Sequence, residues 1–529
     1  MASKCWFFVA VIISTFSISN VSAAPSHEIS HHIRIALDAD PVSLDPHEQL
    51  SEGALQYSHT VFDPLVRWRQ DGSMEPRLAT TWQWMDPTTL RVYLRQGVHF
   101  HSGNRFSSED VVYTINRLKK STDFKGLFDV IDQLTVIDDY TIEIHTRHPY
   151  PLLLNVLAYV FTIDKAFYEG KDEIIKFGGS FASTHESGTG PYRVTQRVQG
   201  ELMTFERNPD YWDEDSPGNI KTIDLIPIRS SSTRLAALLT GDVDVISPLA
   251  TIDVARVERM PQFKLVSMPG TRIIMLQLNQ NRRPEFKDLR VREAINLAVN
   301  QKLIVEKILR GYGQAAGQLS AQPFLGHVEH ILAQYDLKKA KALMAQAGYA
   351  DGFRITLMAP NNRYMSDEQI AQAVAAMLAK INIKVDFKTL PKAQYFQLFD
   401  QQAADIMMLG WQSDTLDSSN IFEFTVACPD EESGLGAYNS TGYCNPEISD
   451  KIHRANREFN REDRAETLQS IEEIIAKDVP VIPLHWQSIL WAERKGVELD
   501  KVLSVQNYPY LGDLVVDAPA DSAKQGANN

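Results

Sequence analysis

The stretch RITLMAPNNRYMSDEQIAQAVAAMLAKINIKVDFKTL, residues 354–390, continues to DIMMLGW at 405–411 and alternates apolar runs with helical patterns. Its first run, 354–359, is typical of a strand, and 367–381 places apolar residues at i, i+4, i+7, i+8 and i+11, which is one face of a helix. The remaining pattern predicts a strand at 383–390, a shorter helix at 392–402 and a buried strand at 405–411. The order β-α-β-α-β indicates an α/β fold.

Charged loops follow the first and third strands of this unit. Right-handed crossovers make the three strands parallel, so their carboxyl ends share the sheet edge at which open α/β folds bind ligands. Arg363 follows the first strand, and Asp414 and Asp417 follow the third. A capping box of Ser366 and Gln369 is expected to begin the first helix just after the Arg363 loop. We therefore expect a cation and a carboxylate on the same rim.

Composition and charge limit the class of protein. The chain has 529 residues, 44% of them hydrophobic and 23% charged, which is ordinary for a globular protein and long enough for two or three lobes. It carries 53 Lys and Arg against 67 Asp and Glu, a formal net charge of −14. This charge repels phosphate backbones and the sequence has no Lys/Arg-rich run, so we expect no nucleic-acid partner.

The first 23 residues have the pattern of a secretory signal peptide. Lys4 precedes an apolar run, and Val21-Ser22-Ala23 supplies small residues at the positions that signal peptidase requires. We expect cleavage after Ala23 and a soluble exported protein, against the alternative of an uncleaved anchor. Cys5 precedes the apolar run rather than following it, which argues against a lipoprotein.

The expected mature chain keeps two of the three cysteines, Cys428 and Cys444. In an oxidising compartment a disulfide between them is the favoured interpretation, worth about 3 kcal/mol by the loop-entropy argument. Two separate buried thiols are the alternative. A metal site on the pair would lack further ligands nearby.

One motif is typical of a catalytic zinc site, but the sequence around it argues against that function. His27-Glu28-Ile29-Ser30-His31 matches H-E-x-x-H, in which two histidines on a helix hold zinc. It runs directly into an alternating strand pattern at 32–37, so a rigid zinc helix is not expected. The sequence also lacks a G-x-S-x-G elbow, a Walker loop and a G-x-G-x-x-G after a strand. We therefore expect a binding protein without catalytic residues, metal or cofactor.

Several segments together resemble a known family over nearly the whole chain. They are PVSLDP (41–46), FSSEDVV (106–112), GTGPY (188–192), NPDYW (208–212), RLAALLTGDVD (234–244) and DLRVREAI (288–295). Their order and spacing are similar to those of the periplasmic solute-binding proteins of peptide-type ABC importers, solute-binding family 5, which includes dipeptide-, oligopeptide- and nickel-binding proteins.

The resemblance implies a two-lobed, hinged α/β fold of the class II periplasmic-binding-protein type with an extra inserted α/β subdomain. By analogy, lobe I would cover 28–285 and 497–525, with the insertion near 68–180, and lobe II would cover 286–496. The protein would be a periplasmic monomer that closes on a solute and delivers it to an inner-membrane ABC permease complex.

The resemblance also suggests site residues. Peptide binders of this group pair the ligand's α-ammonium with the Asp of a W-x-x-D element, which corresponds here to Asp414 in Trp411-Gln412-Ser413-Asp414. Arg363 occupies a loop comparable to one that supplies an Arg for the ligand carboxylate. Trp411 would pack on the ligand or wedge the hinge side of lobe II, and Tyr364 would be a wall residue of the site or else a surface or core residue. Asp417 is a further candidate, and the Cys428–Cys444 pair resembles the family's downstream cysteines.

These residues lead to one function and several alternatives. A carboxylate and a guanidinium in a closed cleft pair both ends of a zwitterion, which suits short peptides. An opine, an oligosaccharide or a metal chelate in the same transport role stays open, as does signalling of the loaded protein to a receptor. A secreted metal-dependent hydrolase is the alternative of another class.

Overall fold

A computed structural model of the chain describes residues 32–176, 178–430 and 434–517. The expected signal peptide and the H-E-x-x-H motif at 27–31 lie outside these residues. Within them, no helix is long and apolar enough to cross a membrane.

The strands are numbered in chain order. They are β1 (His32–Leu37), β2 (Val66–Trp68), β3 (Met74–Pro76), β4 (Ala79–Asp86), β5 (Thr89–Leu94), β6 (Ile131–Asp138), β7 (Thr141–Thr146), β8 (Tyr192–Val198), β9 (Leu202–Arg207), β10 (Thr222–Pro227), β11 (Val245–Ile246), β12 (Phe263–Met268), β13 (Ile273–Leu278), β14 (Gly313–Ala315), β15 (Arg354–Pro360), β16 (Lys384–Leu390), β17 (Ile406–Trp411), β18 (Val481–Gln487) and β19 (Ile489–Arg494).

The α-helices are numbered in the same way. They are α1 (Glu52–Val61), α2 (Ser108–Leu118), α3 (Lys125–Phe128), α4 (Leu153–Val156), α5 (Lys165–Tyr168), α6 (Ser231–Thr240), α7 (Val254–Glu258), α8 (Leu289–Ala298), α9 (Gln301–Leu303), α10 (Leu337–Gln346), α11 (Asp367–Ala379), α12 (Lys392–Asp400), α13 (Ser418–Thr425), α14 (Pro446–Ala455) and α15 (Arg461–Asp478). Short 3-10 or π turns lie at Leu157–Tyr159, Pro284–Lys287, Ile304–Ile308, Leu499–Lys501 and Leu511–Asp513.

Two large mixed sheets form the centres of two lobes. The sheet of lobe I has the order β12-β19-β11-β1-β10-β9-β8, and that of lobe II has the order β14-β18-β13-β17-β15-β16. A four-stranded sheet, β4-β5-β7-β6, lies within the expected insertion at 68–180. Its buried residues Val92 and Ile144 share one hydrophobic core with Phe62 and Tyr192 of lobe I, so the insertion is packed onto that lobe.

The predicted β-α-β-α-β unit is confirmed. β15 pairs in parallel with β16 on one side and with β17 on the other. Ile355, Leu357 and Ala359 of β15 are buried, and Ile370 and Val374 of α11 pack against that face of the sheet. The hydrophobic period of the sequence therefore determines both the elements and their packing.

The predicted capping box is wrong. Ser366 adopts the left-handed conformation with φ of 55° and makes no capping hydrogen bond. The Asp367 carboxylate instead accepts hydrogen bonds from the backbone N–H groups of Arg363 and Tyr364, at 2.9 and 3.0 Å. The stronger carboxylate acceptor thus ties the preceding loop to the first turn of α11 and fixes the position of Arg363.

The chain crosses between the lobes at two places. It passes from β12 in lobe I to β13 in lobe II at 269–272, and returns from β18 to β19 at Ser488. The sheets therefore change lobes earlier than the expected boundaries at 285/286 and 496/497. The reason is that β13 already pairs with β17 and β18, and β19 pairs with β12.

The two cysteines of the expected mature chain form the disulfide Cys428–Cys444. It joins the segment after α13 to the residues just before α14. The interpretation as two separate thiols is therefore not supported.

Candidate functional site

A cavity of about 560 Å³ lies between the lobes. Lobe I contributes the start of α1 and the segment that follows β19, and lobe II contributes the carboxyl ends of β15 and β17 and the helix α12. Its charged lining residues are Glu52, Asp123, Arg272, Arg363, Lys392, Asp400 and Asp414. The sheet edge at which the sequence predicts a ligand therefore faces this cavity between the lobes.

Asp414 lies in the loop after β17 and lines the cavity. Its backbone carbonyl accepts a hydrogen bond from the Tyr159 hydroxyl at 2.7 Å, which fixes the loop against lobe I. Among the described residues none donates a hydrogen bond to its carboxylate. Burial raises the pKa of this carboxyl to about 7, and the Arg272 guanidinium opposes the shift. The carboxylate thus faces the cavity, partly buried, without a cation in contact.

Arg363 lies in the loop after β15 and lines the same cavity. Its guanidinium carbon lies 5.3 Å from the centre of the Tyr364 ring. No ion pair or hydrogen bond joins the guanidinium to any group within 32–176, 178–430 and 434–517. Burial lowers the pKa of Arg363, and the neighbouring Arg272 guanidinium adds to the effect. The structure therefore brings the predicted cation and carboxylate to one cavity and leaves both without a contacting partner.

Aromatic side chains form the wall beside Asp414. Trp411 stacks on Phe424 with ring centres 5.2 Å apart and contacts Tyr438 at 4.9 Å. The Trp411 Nε1–H donates to Asn420 Oδ1 at 2.9 Å, so the indole is held in place from behind.

Tyr364 is a second aromatic residue of the lining and is 7% exposed. A Cβ on Gly410 would lie 2.5 Å from the Tyr364 ring, so glycine is required where β17 passes this tyrosine.

Asp417 does not reach the cavity. Its carboxylate accepts a hydrogen bond from the Ser419 backbone N–H at 2.9 Å and so caps α13. It also forms an ion pair with Arg464 of α15 at 2.6 Å, in which both side chains are almost fully buried. The helix that follows the loop turns Asp417 inward, and this residue connects α13 to α15.

Several lining residues have no signal in the sequence. The Arg272 guanidinium lies in the first crossing segment and contacts Glu52 of α1 at 3.1 Å and Gln412 Oε1 at 2.7 Å. Gln506 donates to the Ser413 carbonyl at 2.9 Å. These partners are far apart along the chain, and of the two residues only Gln506 lies in the return to lobe I that the resemblance implied in outline.

A second cavity of about 340 Å³ adjoins the first on the side of Arg363. Both cavities are lined by Glu52, Arg272, Arg363, Lys392 and Gln412, and the second is also lined by Asp38 and Asp40. The cleft is therefore continuous past the cationic residues. Within the described ranges, His, Cys, Asp and Glu side chains nowhere gather in a group of three that could hold a metal ion.

Comparisons with known proteins identify the family and similar chains. The family model of the bacterial extracellular solute-binding proteins, family 5, matches residues 73–433. Di/tripeptide-binding protein 1 of Pseudomonas aeruginosa (strain UCBPP-PA14) is 26% identical over 521 residues, which cover 92% of this chain and 95% of the relative.

Solved structures share the fold. The ABC transporter-associated periplasmic binding protein DppA from Helicobacter pylori, in complex with the peptide STSA, has a TM-score of 0.78 and 24% identity, and covers 92% of this chain and 98% of its own. NikA from Staphylococcus aureus, in complex with Ni(L-His)2, has a TM-score of 0.76 and 21% identity, with coverage of 92% and 100%. Proteins that share this fold therefore bind ligands of different chemistry.

Proposed function

Because the chain belongs to the bacterial extracellular solute-binding proteins of family 5, we propose that it captures short peptides between its lobes and delivers them to a membrane ABC permease. The relatives support this role, since a di/tripeptide-binding protein matches nearly the full length and DppA carries a bound peptide. The role is that of a non-catalytic periplasmic monomer exported by residues 1–23.

One observation supports the choice of ligand: Asp414 and Arg363 line one cavity between the lobes, and neither is in contact with a charged partner of its own. A buried charge without a partner costs several kcal/mol, so the site is completed by a ligand that brings both opposite charges. The α-ammonium of a peptide pairs with Asp414, and its α-carboxylate pairs with Arg363.

The other lining residues fit the middle of a peptide. Trp411 and Tyr364 offer flat apolar surfaces, and a volume of about 560 Å³ lies within the usual range of small-molecule sites. Water can fill the space that a small side chain leaves, which allows peptides of different sequence to bind.

Isothermal titration of the ligand-stripped protein tests the proposal. Di- to pentapeptides are expected to bind, and N-acetylated or C-amidated forms of the same peptides should bind at least tenfold more weakly. The variant Asp414→Asn should lose peptide affinity by a similar factor, whereas Asp450→Asn, on the exposed surface of α14, should leave it unchanged. If no peptide binds while an oligosaccharide, an opine or a metal chelate does, the ligand class is wrong.

A further inference from the structure

The end of the cavity that faces Arg363 contains more positive charge than one peptide carboxylate can neutralise. Arg272, Arg363 and Lys392 line both adjoining cavities. Arg272 is neutralised by Glu52 in an ion pair of 3.1 Å. The Arg363 guanidinium has no such contact, and the described residues offer no hydrogen-bond or ion-pair partner to the Lys392 ammonium either.

Among the described residues, none of the nearby carboxylates Asp38, Asp40 and Asp123 forms an ion pair with Arg363 or Lys392. Asp123 pairs with Lys176 at 2.6 Å, and Asp40 accepts a hydrogen bond from the Gly200 N–H at 3.0 Å. Burial raises the pKa of Asp38, and the cation that opposes this shift most strongly is Arg234 rather than Arg363. Two cations, the partly buried Arg363 and the solvent-exposed Lys392, are left for the ligand.

The helix α12 separates the charges along the cavity. Lys392 is its first residue and Asp400 its last, and about 1.5 Å of rise per residue places them roughly 12 Å apart. Asp400 lies towards Tyr438, since both Asp400 and Asp414 act on the hydroxyl of that tyrosine, whose pKa is raised mainly by burial. Lys392 lies towards Arg363, which is the nearby charge that acts most strongly on it after burial itself, and both effects lower its pKa.

We propose that this site, if it binds peptides as set out above, prefers peptides with a second carboxylate near the C-terminus, and that Lys392 is the residue that selects it. The α-carboxylate pairs with Arg363, and the side-chain carboxylate of a C-terminal Glu or Asp pairs with Lys392. Two like charges that repel each other in the empty cavity are then both neutralised by one ligand. A C-terminal Gln has nearly the same shape but leaves Lys392 without a partner.

Titrations with matched peptides test this inference. Ala-Glu and Ala-Ala-Glu should bind the wild-type protein about tenfold more tightly than Ala-Gln and Ala-Ala-Gln. In Lys392→Gln the ratio should fall to about one, and Lys392→Arg should retain most of the preference. The matched control is Lys388→Gln, which removes a positive charge from the exposed face of β16 outside both cavities and should keep the wild-type ratio.

The outcomes separate this inference from the proposed function. Equal affinities of the Glu and Gln peptides for the wild-type protein overturn the inference and leave peptide binding intact. A preference that persists in Lys392→Gln overturns the role of Lys392. If none of the four peptides binds, the proposed function fails together with the inference.

Discussion

At the scale of single residues, the charge of Asp414 depends on pH in the neutral range. Burial raises the pKa of its carboxyl to about 7, so in the ligand-free cavity the group is largely protonated below that pH. A ligand ammonium requires the ionised form, and binding therefore releases a proton when the pH is below the pKa.

We predict that peptide affinity falls as the pH is lowered through 7, approaching tenfold per pH unit below about pH 6. Isothermal titration between about pH 5.5 and 8.5, in buffers of different ionisation enthalpy, gives both the affinity and the protons released. The weaker affinity of Asp414→Asn should show little change over the same range. A wild-type affinity that is flat between these limits would contradict the assignment of Asp414 as the ammonium partner.

A second residue bears on stability rather than on binding. His485 of β18 is fully buried, and neither ring nitrogen has a hydrogen-bond partner among the described residues. Burial lowers its pKa to about 3, so it stays neutral in the folded protein. The unfolded chain binds a proton at this side chain below about pH 6.5, and folding becomes less favourable as the pH falls.

We predict that His485→Leu raises the free energy of unfolding by about 1 kcal/mol at about pH 7.5, because a buried polar group without partners is removed. The gain should grow by roughly 1.4 kcal/mol for each pH unit below 6.5. Urea unfolding at two pH values measures both quantities.

His47 provides the contrast for this prediction. It is equally buried, and its ring nitrogens contact the Phe161 carbonyl at 2.8 Å and Arg117 at 3.0 Å. His47→Leu should therefore be destabilising, because it leaves these groups unpartnered. If the two substitutions changed stability in the same direction, the hydrogen-bond argument would be wrong.

The residues of the cavity differ in how far the sequence could point to them. Asp414 and Arg363 follow strands whose order the hydrophobic pattern predicts, so topology alone places them on one rim. Asp417 lies three residues beyond Asp414 and satisfies the same rule, yet α13 begins immediately after it and makes it a helix cap. Lys392 and Arg272 reach the cavity only through tertiary packing, which no local pattern in the sequence records.

At the scale of elements, the sequence predicts that a helix or strand is present better than it predicts the residues at which that element begins and ends. The helical face of α11 is visible because Ile370, Val374 and Leu378 recur at the helical period and are buried together. The prediction for its first turn is wrong, since Ser366 and Asp367 can both accept hydrogen bonds from backbone N–H groups at the start of the helix. Which of the two does so depends on where the Arg363 loop lies. The lobe boundaries were displaced because β13 and β19 are ordinary strands, and only pairing shows which sheet each one joins.

The disulfide is an element-scale feature with a measurable effect. Cys428 and Cys444 are 16 positions apart, and Tyr438, which contacts Trp411 in the cavity wall, lies between them. We predict that the double substitution Cys428→Ala/Cys444→Ala lowers the free energy of unfolding by about 3 kcal/mol through the freedom gained by the unfolded chain. Denaturant unfolding with and without a reductant checks this. The reductant should destabilise only the wild-type protein, and an equal response of the double variant would contradict the argument.

At the scale of the whole molecule, the described structure has its lobes closed on each other. The loop after β17 belongs to lobe II, yet its backbone is held by lobe I side chains. Tyr159 donates to the Asp414 carbonyl at 2.7 Å, and Asn155 donates to the Thr415 carbonyl at 2.7 Å. Farther out, Trp84 of the insertion contacts Phe459 of lobe II, with ring centres 4.9 Å apart. The loop that carries Asp414, the proposed partner of the ligand ammonium, is thus also the loop to which lobe I is hydrogen-bonded when the lobes are closed.

This arrangement couples ligand affinity to the equilibrium between open and closed lobes. The Asn155 hydrogen bond joins the two lobes, so its removal destabilises neither lobe by itself but makes the closed state less populated. The Tyr159 hydroxyl also joins the lobes, and in addition it is hydrogen-bonded to Tyr508 within lobe I. Because residues of both lobes line the cavity, a ligand that fills it needs the closed state, and its apparent affinity falls in proportion to the closed fraction. A hydrogen bond of this kind is worth about 1 kcal/mol, which corresponds to roughly fivefold in affinity.

We therefore predict that Asn155→Ala weakens the binding of every peptide by about fivefold, mainly through faster dissociation, and leaves the unfolding midpoint of the ligand-free protein nearly unchanged. Tyr159→Phe should weaken binding in the same way but also lower the unfolding midpoint, because the Tyr159 hydroxyl is hydrogen-bonded to Tyr508 within lobe I as well. Tyr57→Phe is the matched control, because the Tyr57 hydroxyl donates to the Leu44 carbonyl within lobe I at 3.2 Å. That substitution should lower stability and spare affinity. Stopped-flow tryptophan fluorescence and thermal unfolding separate the two effects. Wild-type dissociation rates in both Tyr159→Phe and Asn155→Ala would show that closure does not depend on the contacts of this loop with lobe I.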